Sequence, residues 1–109
     1  MLDVPRTADG DFPFQRVFPR CLVMLDHAVQ ESLDHPSDHY CRTRAVDIAQ
    51  ALVEGCRVCG YHEDTGILES ITVLLAAPFD GSDSTISDLR ERFRGLLGVL
   101  KSQALVRSA

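Results

Sequence analysis

AVDIAQALVEGCRVCGYH, residues 45–62, decides how the rest of the chain is read, because the same letters fit a cysteine-pair site and the central helix of a bundle. Ala45, Ile48, Ala49, Leu52, Cys56 and Cys59 recur at intervals of three and four, which gathers them on one face of a helix. Asp47, Gln50, Glu54 and Arg57 fall on the opposite, polar face. A glycine just past the last helical residue takes up the left-handed backbone conformation without steric strain, so Gly60 is the expected stop. Upstream, the pre-proline position at His35 disfavours helix and Ser37 or Asp38 suits an N-cap. The helix is therefore expected over about His39 to Cys59.

Three more apolar stripes flank this segment. Phe14, Phe18, Cys21, Leu22, Leu25, Ala28, Val29 and Leu33 share one helical face. Pro19 interrupts that pattern and suits the first turn of a helix running to about Asp34, with residues 12–17 as a lead-in turn. Residues 1–11 are polar, contain Pro5 and Gly10, and show no period, which predicts a loose arm. A third helix is expected near Thr65 to Ala77, burying Ile67, Leu68, Ile71, Leu74 and Leu75 and limited by Pro78. After a loop over Phe79 to Asp83, Ser84 or Thr85 caps a fourth helix carrying Ile86, Leu89, Phe93, Leu96, Leu97, Leu100 and Ala104. Ile71 to Leu75 taken alone also fits a buried strand, but no alternating pattern competes with the helical spacing around it. Each stripe needs the other three to leave water, so the expected architecture is all-α, an antiparallel four-helix bundle forming one domain over residues 12–109.

The composition agrees with a single soluble globular domain. The 109 residues are 45% hydrophobic and 25% charged, too apolar for a disordered chain and long enough for one core without metal or disulfides. The longest nearly uncharged run, Ser70 to Phe79, falls far short of the roughly 20 residues that span a bilayer. The start, Met-Leu-Asp-Val-Pro-Arg, has neither a basic nor an apolar leader region, and a cytoplasmic location is expected. A net charge of −5 argues against a nucleic-acid partner, which calls for a basic surface. The charge is unevenly spread: residues 1–89 hold six arginines and fifteen carboxylates, whereas residues 90–109 hold five basic residues and Glu91. A basic last helix lying beside acidic ones explains this within the chain, and an acidic protein partner is the alternative.

Four cysteines without an export signal are expected as thiols. Cys56-Arg57-Val58-Cys59-Gly60-Tyr61 has the form of a zinc knuckle, and His62 lies close by. A closed tetrahedral site needs four ligands, however, and no second C-x-x-C follows. Redox chemistry is disfavoured by position, because reactive dithiols gain thiolate character at a helix N-terminus and this pair sits at a C-terminus. Both sulfurs also fall on the apolar stripe, where buried core thiols are the simpler reading. A small zinc-binding or thiol-redox protein using Cys56, Cys59 and His62 stands as the alternative function.

Gln50-Ala51-Leu52-Val53-Glu54-Gly55, with Gly60 ten residues after Gln50 and aromatic Tyr61 next, lies in the frame of another signature. The segment resembles the histidine phosphotransfer (HPt) domain, a four-helix module that carries His-x-hydrophobic-Lys-Gly on its second long helix and a further glycine at that helix's end. The flanking elements agree in order and approximate length over residues 12–107. The departures are chemical: Gln50 stands at the phosphoacceptor position, Val53 replaces the lysine and Glu54 replaces the first glycine. An amide cannot take a phosphoryl group as an imidazole nitrogen does. The resemblance implies a degenerate, non-phosphorylatable relative, a signalling adaptor that binds a response-regulator receiver or a histidine kinase through Asp47, Gln50, Glu54 and Arg57.

The remaining candidates carry less. His27, His35, His39 and His62 are scattered, and Pro36 breaks the four-residue spacing of His35 and His39. There is no Gly-x-Ser-x-Gly elbow and no phosphate-cradling loop, so neither an enzyme nor a resident cofactor is expected. Gly95 and Gly98 each cost roughly 1 kcal/mol inside a helix. They are expected to admit a close backbone, either a neighbouring helix or the partner chain of a homodimer, with Arg90, Arg92, Arg94 and Lys101 beside that contact.

Overall fold

The computed structural model describes residues 4–77 and 81–108, and the side chains of residue 14 and of residues 16–77 and 81–106. Four helices follow one another: α1 Val4–Asp34, α2 His39–Cys59, α3 His62–Ala76 and α4 Asp83–Ser108. The region is all-helical, and the Ile71 to Leu75 segment that alone fits a strand lies inside α3. Among the described residues no helix is long and apolar enough to cross a membrane.

α2 begins and ends where its caps dictate. The Asp38 side chain accepts hydrogen bonds from the backbone N–H of Tyr40 at 2.9 Å and of Cys41 at 3.4 Å, satisfying donors that have no partner inside the helix. Gly60 closes it at φ 77°, the left-handed region a glycine enters without a Cβ penalty. Its N–H bonds to the Arg57 carbonyl at 3.2 Å, and the Tyr61 N–H reaches back to the Cys56 carbonyl at 2.9 Å. These bonds use the last carbonyls and turn the chain into α3 within two residues.

The backbone N–H groups of Cys41 and Tyr40 hold the Asp38 carboxyl below the usual aspartate range. A carboxyl depressed by folding stabilises the folded state above its unfolded pKa of about 3.9, and that contribution fades as pH falls through the lower folded value. Asp38→Ala is therefore expected to lower the melting temperature at neutral pH, with the gap to the parent closing in acid. Asp38→Asn keeps an acceptor and should lose less. Paired melts across the acid range check this, and a gap independent of pH would count against the cap.

The first helix corrects two expectations. It runs from Val4 instead of starting at Pro19, so the loose arm over residues 1–11 and the lead-in turn over 12–17 give way to helical backbone as far back as Val4; Met1, Leu2 and Asp3 lie outside the described residues. Pro19 sits within the helix, where it lacks an N–H and leaves the Gln15 carbonyl without that bond. Burial of Phe18 and Leu22 on either side of it carries the helix through. α3 starts at His62, three residues before the expected Thr65, and ends at Ala76 with Ala77 as C-cap. Pro78 and the Phe79–Asp80 part of the expected loop lie outside the described residues. At the head of α4 the Ser82 hydroxyl, and neither Ser84 nor Thr85, accepts the capping bond, from the Thr85 N–H at 3.4 Å.

The core is one continuous cluster. α1 contributes Phe18, Leu22, Leu25, Ala28, Val29 and Leu33; α2 contributes Ala45, Ala49, Leu52, Val53 and Cys56. α3 adds Leu68, Ile71 and Leu75, and α4 adds Phe93, Leu97, Leu100 and Ala104. Phe14, Cys21, Ile48, Ile67, Leu74, Ile86, Leu89 and Leu96, expected inside, are half-buried at its margin. Asp64, in the first turn of α3, is fully buried although its side chain is polar. α1 packs on α2 and α4, α2 packs on α3, and α3 meets α4 more sparsely.

The basic last helix is partly neutralised within the chain. Arg90 bonds Gln30 and reaches Asp34 at 3.0 Å, Lys101 reaches Asp26 at 2.7 Å, and Arg94 pairs with Glu91 on its own helix at 2.7 Å. Arg92 has no ion-pair partner among the described residues.

Candidate functional site

The spacing of three, four and three residues places Asp47, Gln50, Glu54 and Arg57 along one side of α2, and all four are exposed. Three of them, Gln50, Glu54 and Arg57, share a groove with Val53 and with Glu69, Thr72 and Val73 of α3. Asp47 lies on the same face beyond the groove. Arg57 donates to Glu54 at 2.6 Å and to Glu69 at 3.3 Å, linking α2 to α3 across the groove. All three side chains are more than half exposed, so these pairs add little stability, and their effect is to hold the guanidinium in place.

No nucleophile is poised here. Thr72 donates its hydroxyl to the Leu68 carbonyl at 2.9 Å, and Ser70, outside the groove, donates to the Gly66 carbonyl at 3.2 Å. Glu54 and Glu69 set carboxylates beside Gln50, which opposes the approach of an anion such as a phosphoryl group. The face is suited to binding a polar or cationic surface.

The structure adds Glu69 and Val73 to the expected set. Val73 is 69% exposed on a helix that otherwise reads as a core former. Following the outward positions of α3, Gly66, Glu69, Ser70 and Val73, would have shown that face, but which of them meets α2 depends on how the two helices are set against each other.

The cysteine pair is divided between environments. Cys56 is sealed in the core and Cys59 is half-buried, while His62 is exposed at the first turn of α3. All four cysteines carry thiols, not disulfides. Among the described residues no group of three or more His, Cys, Asp or Glu side chains could hold a metal ion. Burial pushes the Cys21 thiol up, and partial desolvation together with the Asp38 carboxylate pushes Cys41 up, which keeps both protonated and poorly nucleophilic. The four histidines are exposed and spread over separate positions.

The glycines divide in the same way. Gly55 is a close-approach position: a Cβ there would fall 2.7 Å from Cζ and 2.9 Å from Cδ1 of the Phe14 ring. Gly95 and Gly98 have nothing within 4 Å of such a Cβ, so neither admits a neighbouring helix of the same chain. Gly95 opens onto a groove between α3 and α4, and Gly98 onto the α1 side beside Asp26 and Lys101. The expected close intramolecular backbone contact at these two positions is thereby overturned.

Comparison of the chain with family profiles, with curated proteins and with solved structures finds no match.

Proposed function

We propose that the chain is a non-catalytic adaptor of the histidine phosphotransfer type, an antiparallel four-helix bundle that docks a response-regulator receiver or a histidine kinase on α2 without taking up phosphate. The observation that carries this reading is the exposed row of Gln50, Glu54 and Arg57 along the α2–α3 groove, with an amide where the resembling family has its reactive histidine. Connections of four residues between α1 and α2 and of two between α2 and α3 support the antiparallel arrangement, since short links favour reversal. The Glu54–Arg57–Glu69 ion pairs supply a fixed polar pattern for recognition, and fixed charges give specificity more than affinity. A cytoplasmic site of action belongs to the same reading.

The test is incubation with a panel of phosphorylated receivers bearing labelled phosphate, together with calorimetric titration of the same receivers and of kinase domains. No label should transfer. One partner should bind, and Arg57→Glu should weaken it about tenfold, the loss of roughly 1.4 kcal/mol of contact energy, with helix content unchanged. Label on this chain, or binding indifferent to Arg57→Glu and Gln50→Lys, would defeat the proposal.

A further inference from the structure

The groove between α3 and α4 is a second, more apolar surface, with a volume of about 840 Å³. Val73 and Val99 stand in it 69% and 47% exposed, with half-buried Leu74 and Leu96 behind them. Gly66 and Gly95 open it from its two walls, and a Cβ at either would touch nothing. Each glycine weakens its helix by roughly 1 kcal/mol with no compensating contact inside the chain. The rim carries both signs of charge: Glu69, Glu91 and Arg92, the last lacking an ion-pair partner among the described residues.

We propose that this groove is a self-association surface, in which α4 of a second copy of the chain lies along α3 and α4 of the first about a twofold axis beside Gly95. Charge and register select that occupant. The Gln103 side chain donates to Glu63 at 3.1 Å, which sets α3 against α4 with Glu69 about level with Leu97. When two α4 helices cross antiparallel at Gly95, Arg92 comes level with Gly98 of the second copy. It therefore also comes level with Glu69 on that copy's α3. Val99 falls in the same way against Leu74 of the second copy. Within one chain Glu54, Arg57 and Glu69 already form an alternating row with one negative charge in excess. Arg92 from the second copy extends the row and balances it, and by symmetry this happens twice. Backbones at Gly95 can then approach as closely as small residues permit, while the valines leave water.

Because the α2 groove and the α3–α4 groove share only Glu69 and Val73, the dimer does not depend on the adaptor reading. Sedimentation equilibrium of the full chain over a wide concentration range is the direct test, and a reversible dimer is expected. Gly95→Leu fits the free chain and favours its helix, so the variant should fold at least as well as the parent yet lose association by tenfold or more. Gly98→Leu, equally unhindered but facing α1, should leave the dimer intact. Arg92→Glu should weaken it, and combining Arg92→Glu with Glu69→Arg should restore it. A monomer at all concentrations overturns the proposal, including the case in which an unrelated protein fills the groove. So does a dimer that withstands Gly95→Leu and Arg92→Glu.

Discussion

Phe93→Ala is expected to cost about 3–5 kcal/mol of folding stability, the usual range for emptying a buried aromatic site. Phe93 is fully buried at the centre of α4, and it is the largest side chain that helix contributes to the core. α4 packs chiefly on α1 and only sparsely on α3. Its ion pairs to α1, Arg90 with Asp34 and Lys101 with Asp26, lie at the margin of that contact and are at least a third exposed on one partner. Such pairs add at most about 1 kcal/mol each, so the ring and its neighbours Leu97 and Leu100 must hold α4 in place. A domain of this size has about 5–15 kcal/mol of stability in all. The variant should accordingly show a large fall in urea midpoint, or partial unfolding in buffer. Val99→Ala, on the exposed side of the same helix, should change the folding free energy of the dilute protein by less than about 0.5 kcal/mol. Similar midpoints for the two variants would mean that α4 does not pack by the face described.

Local chemistry made some features legible and left others hidden. α2 spans the expected His39 to Cys59 because both ends are fixed by single residues, Asp38 accepting N–H bonds and Gly60 entering the left-handed region. Both act within one turn, so no distant contact can override them. The start of α1 departs from its local signals for the opposite reason. Pro19 argues locally for a break, whereas α1 continues through it, with Phe18 buried before it and Leu22 and Leu25 buried after it. A proline's loss of one hydrogen bond can be offset by tertiary burial that no local pattern records. Val53 lies off the apolar stripe of α2, yet it is buried, because a helix between two neighbours buries a wider arc than one row of positions.

The candidate site follows the same division. Exposure of Asp47, Gln50, Glu54 and Arg57 follows from helical period alone, and the structure places all four at the surface. The participation of Glu69 depends on the register between α2 and α3, which the two-residue connection and the packing of Leu52 and Leu68 in one core determine together. Asp64 is a further case: a carboxylate in the first turn of a helix reads as a solvated, dipole-favoured residue, but here it is fully buried. The helix that carries the cysteine motif divides the pair, Cys56 within the core and Cys59 at its edge.

Gly55→Leu should destabilise the parent protein by about 1–3 kcal/mol, the range for overfilling a packed site, and should stabilise a Phe14→Ala variant. Replacing glycine inside a helix ordinarily strengthens it by close to 1 kcal/mol, so the sign of the effect depends on what stands beside the new side chain. At Gly55 that neighbour is the Phe14 ring, whose near edge lies within 3.0 Å of the position a Cβ would take. The ring has little freedom to retreat. It stacks on Phe18 with centroids 5.1 Å apart and faces Tyr61 at 6.4 Å, and Phe18 is itself buried and in ring contact with Tyr61 at 6.5 Å. A leucine at position 55 therefore has to expel Phe14 from this cluster, separating the start of the described α1 packing from the end of α2. Once Phe14 is alanine the space is vacant, the leucine refills it, and the helix-propensity gain is left unopposed. Urea titrations of the parent, both single variants and the double variant form a cycle that isolates the contact. A strong favourable coupling between Leu at 55 and Ala at 14 is expected, with opposite signs for Gly55→Leu in the two backgrounds. Additive effects would show that Phe14 does not rest on Gly55, and the helical path of α1 through Pro19 would lose its anchor at that end of the bundle.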